Sequence, residues 1–157
     1  MIDANVPIEM SDGLPNAKSS RHPDEREKIQ RIIGRRSLGG LANDTKWNEL
    51  IVAMRGHSAS IPAYRWKCVD GVPVGWETEW LYHPPFPMIS VEWMDFLFRY
   101  HPLRPGMSGP IRAAGEVEDY GDRIESLLKP IGFDYIRGRN MLRAFGYSPR
   151  SMEWFDD

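Results

Sequence analysis

Apolar residues recur with helical spacing in three stretches of the chain: residues 22–36, 44–55 and 116–129. The clearest apolar face belongs to the second stretch, where four residues fall at positions i, i+3, i+4 and i+7: Trp47, Leu50, Ile51 and Met54. Residues at this spacing lie on one side of a helix. The pattern therefore predicts three amphipathic helices, the second of which is capped by Asn43 or Asp44.

The period changes to two after the second helix. Tyr64, Trp66 and Cys68 alternate with Arg65 and Lys67, which predicts a strand with one apolar and one basic face. A turn at Asp70-Gly71 leads to a second strand, where four residues share the apolar face: Trp76, Thr78, Trp80 and Tyr82. We expect these aromatic rings to be packed beneath the helices, because buried aromatic side chains dominate cores.

Glu77 and Glu79 lie on the opposite face of this second strand. If it pairs antiparallel with the first strand, the two glutamates face Arg65 and Lys67 across a solvated surface. Opposite charges in such cross-strand pairs stabilise a sheet slightly. The charged rows therefore indicate strand pairing rather than catalysis.

Three further strands are expected. The third ends at about Trp93 and is followed by an irregular or helical turn, and residues 133–145 form a hairpin that turns near Gly138. The predicted fold class is α+β: a single antiparallel sheet of about five strands, with helices 44–55 and 116–129 packed on one face and an N-terminal helical extension.

The distribution of polar, proline and glycine residues divides the chain into four predicted regions: a flexible leader over 1–20 that docks weakly if at all, a helical extension over 21–40, a single α+β domain over 41–150, and a C-terminal tail over 151–157. In the tail, Trp154 and Phe155 are candidates to dock onto the domain. Residues 101–115 contain three prolines and three glycines, which predicts a surface loop suited to binding.

Composition excludes several classes of protein. The formal net charge is −2, from 20 basic and 22 acidic residues, so no strong overall field attracts phosphate backbones or anionic lipid. Cys68 is the only cysteine, which excludes an internal disulfide and a thiolate zinc cluster. The sequence shows neither an apolar run of the roughly 20 residues that cross a bilayer nor a secretory signal. We therefore expect a cytoplasmic protein.

The histidines provide one candidate for chemistry. His83 follows the second strand near Glu79, and Asp95 comes soon after. A histidine with carboxylates can perform acid–base catalysis or bind a metal, but the interpretation we favour is that His83 caps a strand end beside a proline-rich connector. The sequence contains no nucleophile elbow and no glycine-rich phosphate loop. No catalytic residue, cofactor or metal site is therefore predicted.

Several segments resemble a family of small uncharacterised bacterial domains of unknown function. The segments that carry the resemblance are DTKWNEL at 44–50, YRWKCVDGVPVGWETEWLYH at 64–83, VEWM at 91–94, and LLKPIGF and AFGY within 127–147. The resemblance covers about residues 43–147, roughly two thirds of the chain. The shared residues are aromatic and turn residues, so the resemblance implies a common architecture and supplies no activity.

The expected function is a non-catalytic protein-binding domain, in its most specific form an immunity-type protein that neutralises a bacterial toxin by docking. Candidate partner-binding residues come from the acidic strand face, the proline-rich loop and the tail: Glu77, Glu79, Arg104, Met107, Glu153, Asp156 and Asp157. One alternative is a small enzyme or metal-binding domain centred on His83, Glu79 and Asp95. A second is a single-stranded nucleic-acid binder, which requires an exposed row of Trp76, Trp80 and Tyr82. The sequence does not predict the oligomeric state.

Overall fold

The computed structural model describes residues 13–56, 63–98 and 114–156. Its helices are α1 (Glu25–Arg35), α2 (Asp44–Gly56), α3 (Ala114–Ile131) and a single 3-10 turn, Met88–Ser90. Its strands are β1 (Gly39–Gly40), β2 (Tyr64–Cys68), β3 (Val74–Glu77), β4 (Val91–Leu97), β5 (Asp134–Arg137), β6 (Met141–Phe145) and β7 (Tyr147–Ser148). These elements confirm the predicted α+β class.

Five of the strands form an antiparallel sheet in the order β3-β2-β4-β6-β5. The expectation of a single sheet is wrong, because β1 and β7 form a second, two-stranded sheet. In this small sheet Gly39 pairs with Ser148 and Gly40 with Tyr147. A strand made of two glycines has no side chains to alternate, so the hydrophobic pattern carries no sign of it.

One face of the five-stranded sheet belongs to the main hydrophobic cluster. The four predicted apolar residues of α2 are at most 1% exposed and lie in this cluster, which confirms that pattern. The cluster also contains residues of α3 and alternate residues of the sheet: Tyr120, Ile124, Leu128, Tyr64, Met94, Phe96, Leu142 and Ala144. Helix α2 begins where the Asn43 Oδ1 atom accepts a hydrogen bond from the Lys46 N–H, at 2.9 Å.

The opposite face of the sheet is also covered, which the sequence did not predict. All seven residues of the central strand β4 are buried, and the strand continues to Leu97 instead of ending near Trp93. Arg65, expected on a solvated surface, is only 1% exposed. The C-terminal tail provides part of this cover, since Trp154 and Phe155 dock over the arginine side chains of this face, as the sequence suggested.

Strand β3 departs from its predicted alternation. Tyr64 pairs with Glu77 and Trp66 pairs with Val74, so β3 holds one residue more than β2 between the two pairs. Such a bulge reverses which face the following residues occupy. Glu77 therefore lies opposite Tyr64 rather than Arg65, and the expected ion pairs of the glutamates with Arg65 and Lys67 do not form.

The bulge and the end of β3 at Glu77 separate the three aromatic residues that were expected to share a face. Trp80 is buried in the main cluster, with its ring 4.2 Å from that of Tyr64. Trp76 instead contacts Arg65 on the other face, at 4.7 Å from ring to guanidinium. Tyr82 is 60% exposed. The continuous aromatic row required by the nucleic-acid hypothesis is therefore not present.

The segment before α1 packs more closely than expected of a flexible leader. Ala17 is fully buried, and its N–H donates to the Asn48 side chain at 2.7 Å. The Ala17 carbonyl accepts a hydrogen bond from the Met88 N–H at 2.9 Å. Residues 1–12, which complete the predicted leader, lie outside the described residues.

Candidate functional site

The outer strand β3 and the residues on either side of it expose several apolar side chains. Among the described residues seven large hydrophobic side chains are exposed, and four of them lie in residues 72–83: Val72 (75%), Val74 (42%), Leu81 (42%) and Tyr82 (60%). We call residues 72–83 the edge segment. Exposed apolar side chains that cluster in this way mark interaction surfaces.

Glu79 holds the second half of the edge segment in a fixed shape. Its carboxylate accepts hydrogen bonds from the N–H groups of Leu81, Tyr82 and His83, at 2.6, 2.9 and 2.7 Å. The guanidinium of Arg55, on α2, donates to the Leu81 carbonyl at 2.8 Å. Leu81 and Tyr82 therefore lie on a turn that is held by hydrogen bonds within itself and by a hydrogen bond to α2.

Glu77 performs a similar role at the end of β3. Its carboxylate accepts the N–H groups of Thr78 and Glu79, at 2.8 and 3.1 Å, and lies 2.8 Å from the His83 Nδ1 atom. Desolvation alone would raise the pKa of Glu77, but the hydrogen bonds from these two N–H groups and from His83 outweigh it and lower the pKa. Glu77 therefore remains ionised to a lower pH than a free glutamate.

Replacing His83 with alanine is expected to raise the pKa of Glu77, because the mutation removes one of the groups that stabilise its carboxylate. The measurement is a pH titration of the Glu77 carboxyl carbon by NMR. Since the folded-state pKa is depressed, ionised Glu77 stabilises the fold above the ordinary glutamate pKa, and this contribution is lost as the pH falls through the folded value. The control is His22→Ala; if His83→Ala leaves the Glu77 titration unchanged, the pairing is wrong.

The predicted group of His83, Glu79 and Asp95 is only partly assembled. His83 Nδ1 lies 3.6 Å from a Glu79 oxygen and closer, 2.8 Å, to Glu77. Asp95 is fully buried and binds two arginines instead. Within residues 13–56, 63–98 and 114–156 no group of three or more metal-ligating side chains could hold a metal ion.

Asp95 lies at the centre of a buried ionic row that crosses three strands. Arg65 pairs with Asp95 across β2 and β4, and Asp95 pairs with Arg143 across β4 and β6. Arg65 Nε donates to Asp95 at 2.8 Å, and Arg143 donates through Nε and one terminal nitrogen at 2.6 and 2.9 Å. We call these three residues the arginine–aspartate row; it places two positive charges and one negative charge out of contact with water.

The C-terminal tail completes the arginine–aspartate row. The carbonyls of Ser151 and Trp154 accept hydrogen bonds from Arg143 and Arg65, respectively. The Arg143 guanidinium also stacks on the Trp93 ring at 3.6 Å. Carbonyl oxygens and aromatic faces both carry partial negative charge toward a cation, so they compensate part of the excess positive charge. The contacts of the arginine–aspartate row are therefore those of a group that stabilises the fold.

A pocket of about 240 Å³ lies beside the edge segment. It is lined by residues from before and within α1, from β2 and its end, and from the connector to β4: Arg21, Glu25, Ile29, Trp66, Cys68, Asp70, His83, Pro85, Phe86 and Ser90. We call it the Cys68 pocket. Burial, together with the charges of Asp70 and Glu25, raises the pKa of the Cys68 thiol although Ser90 opposes the shift, which makes the thiol a poor nucleophile.

Of the remaining predicted partner-binding residues, the structure describes two, Glu153 and Asp156. Glu153 lies 3.5 Å from Lys67, and its side chain is 45% exposed. Asp156 is engaged internally, since its carboxylate accepts the N–H groups of Arg139 and Asn140, each at 2.8 Å. Arg104, Met107 and Asp157 lie outside the described residues.

Sequence reasoning nominated Glu77, Glu79 and His83, and the structure brings these three together. It missed the exposed valines Val72 and Val74, which flank a proline after a turn and carried no periodic signal. No helix in the described part of the chain is long and apolar enough to cross a membrane.

Comparisons with known proteins identify one family. Residues 29–151 match the model of a family of unknown function, DUF6678. No curated protein and no solved structure matches the chain.

Proposed function

This chain belongs to DUF6678, a family of unknown function, and we propose that it is a non-catalytic protein-binding domain that docks through its edge segment onto a basic partner protein. The single observation that carries the proposal is the concentration of exposed apolar side chains in residues 72–83. Apolar contact area supplies the affinity of such a surface, and the acids around it determine which partners fit.

The position of β3 supports a partner that binds along its length. β3 lies at one end of the strand order and pairs only with β2 within the five-stranded sheet. The outer side of such a strand presents backbone groups to which an extended segment of another protein can add. Because Glu77 and Glu79 already hold the adjoining turn, little ordering is needed on binding, which reduces its entropic cost.

The charge of the edge segment supports a basic partner. The segment contains Glu77 and Glu79 and no lysine or arginine, while the guanidinium of Arg55, on α2, donates to its Trp80 and Leu81 carbonyls and offsets part of this charge. Complementary charge accelerates association and disfavours acidic partners.

In its most specific form, the proposed function is that of an immunity-type protein that neutralises a toxin by docking on it. A toxin that acts on nucleic acid needs a basic surface to hold phosphate groups. An acidic edge with exposed apolar side chains would cover such a surface by charge complementarity.

The proposal is tested with the Val74→Lys variant as bait, beside the wild type and a Val52→Lys control. Val74 and Val52 are both exposed valines, at 42% and 56%, but Val52 lies on α2, outside the edge segment. Circular dichroism establishes that all three baits are folded. A protein captured from the source cells is then purified, and its Kd for each bait is measured by calorimetry.

We expect the purified partner to be basic and to bind the wild type and Val52→Lys equally. We expect its affinity for Val74→Lys to be at least about tenfold weaker, since a lysine there removes apolar contact and repels a basic surface. The proposal fails if no partner is recovered, if the partner is acidic, or if the two variants bind with the same affinity.

A further inference from the structure

The Cys68 pocket has an aromatic wall and a polar rim. Trp66 and Phe86 are half-buried and supply ring surface, while Ser90 is buried at the base and lies 3.5 Å from the Cys68 sulfur. A volume of about 240 Å³ is smaller than the roughly 300–1,000 Å³ of pockets that hold drug-sized ligands. The pocket therefore suits a compact ligand.

The charged groups around the pocket favour a cation. Glu25 and Asp70 contribute two negative charges, Arg21 contributes one positive charge, and the imidazole of His83 also lines the pocket; Arg21, Asp70 and His83 are exposed. Glu25 is half-buried, and one of its oxygens accepts the Arg21 N–H at 3.0 Å. The two carboxylates also raise the pKa of the Cys68 thiol, so their field extends to the pocket wall. Solvent screens the exposed Arg21 and Asp70 alike, so the half-buried Glu25 leaves the site net negative.

We infer that the Cys68 pocket binds a small ammonium ion with an apolar, preferably aromatic, body. The ammonium group faces Asp70 and Glu25, and the apolar body packs against Trp66 and Phe86. Charge attraction acts on the ammonium group and apolar contact acts on the body of the same ligand in this arrangement. The inference does not rest on the proposed docking function: His83 belongs to both surfaces, but Val74, which tests the docking surface, does not line the pocket.

Cys68 provides a reporter for the pocket, since it is the only cysteine in the chain. A ligand that fills the pocket must slow alkylation of the thiol by iodoacetamide, an uncharged reagent. The probes are 2-phenylethylamine, 2-phenylethanol and phenylacetate, which have similar bodies but carry positive, zero and negative charge at neutral pH. The rate of mass addition is followed by intact-protein mass spectrometry, with the labelled residue identified by peptide mapping.

We expect 2-phenylethylamine to slow alkylation about tenfold at a concentration about ten times its Kd. At the same concentration the alcohol and the acid should protect much less. Protection by phenylacetate equal to that by the amine overturns the inference, and so does the absence of protection by all three probes.

Four variants test which charges are responsible. Asp70→Asn and Glu25→Gln should each raise the Kd of the amine about threefold, the effect of one partly exposed ion pair. Arg21→Gln should lower the Kd. Glu27→Gln is the matched control, because Glu27 is an exposed acid on α1 that does not line the pocket; a shift equal to that of Glu25→Gln refutes the assignment.

The ratio of rates with and without amine is compared within each variant, because Asp70→Asn and Glu25→Gln also change the intrinsic reactivity of the thiol. In Val74→Lys, the amine must protect Cys68 from alkylation as well as it does in the wild type. Asp70→Asn must bind any protein partner with the wild-type Kd, apart from the small change caused by the loss of one exposed charge. Failure of the pocket and failure of the docking surface therefore give different results.

Discussion

Replacing Asp95 with asparagine is expected to lower the free energy of unfolding by about 3–5 kcal/mol. Asp95 is fully buried between Arg65 and Arg143, which are 1% and 0% exposed. Without its negative charge, two guanidinium groups would remain out of water with carbonyls, aromatic rings and the Met141 sulfur for compensation. An intact buried ion pair contributes little net free energy to stability. Removing one partner nevertheless costs several kcal/mol, because the remaining charge is left without water or a counter-ion.

The measurement is urea denaturation followed by tryptophan fluorescence, with Asp122→Asn as the matched control. Asp122 lies 2.6 Å from Arg137, but its side chain is 68% exposed. Loss of such a surface pair should cost less than about 1 kcal/mol. Equal destabilisation by the two substitutions would mean that water reaches Asp95, and the buried arginine–aspartate row would be wrong.

Replacing Gly146 with alanine is expected to lower the free energy of unfolding by about 3 kcal/mol. A Cβ atom at this position would stand 2.0 Å from the carbonyl oxygen of Val91, which is impossible without movement of the backbone. The Gly146 N–H donates to the Glu92 carbonyl at 2.9 Å, and its carbonyl accepts the Leu41 N–H at 2.8 Å. The backbone therefore cannot move without losing hydrogen bonds that join the two sheets.

Gly34→Ala is the control, and it should act in the opposite direction. Gly34 lies within α1, and a Cβ atom there meets no atom within 4 Å. Alanine should stabilise the helix by about 0.5–1 kcal/mol. Thermal denaturation of both variants checks the pair. A Gly146→Ala variant as stable as the wild type would contradict the close approach of β4 to this residue.

The sequence predicts helix α2 well because this helix has one buried face and one wet face, and that contrast is what periodicity detects. It predicts β4 poorly for the converse reason. β4 is buried on both faces, and Asp95 interrupts its apolar run with a residue that, in isolation, indicates solvent. The groups that make a buried aspartate possible come from distant parts of the chain, including the Trp154 carbonyl, 89 residues from Arg65.

The candidate site was predictable in part. Glu77, Glu79 and His83 are neighbours in the sequence, and local hydrogen bonds keep them together in space. The bulge in β3 was not predictable, because one extra residue between two strand pairs leaves no mark on composition or charge. It turns Trp76 toward Arg65, and because β3 ends at Glu77, Trp80 packs in the main cluster instead of continuing the strand's alternation.

The arginine–aspartate row also limits the alignments in which the sheet can form. A slip of β4 by one residue would turn Asp95 toward the apolar cluster and place Met94 or Phe96 between the guanidinium groups. A slip by two residues would keep the faces but set Trp93 or Leu97 there, leaving two like charges without their counter-ion. Misaligned sheets are thus penalised electrostatically as well as by packing, and these charges select the native pairing from its nearest competitors during folding.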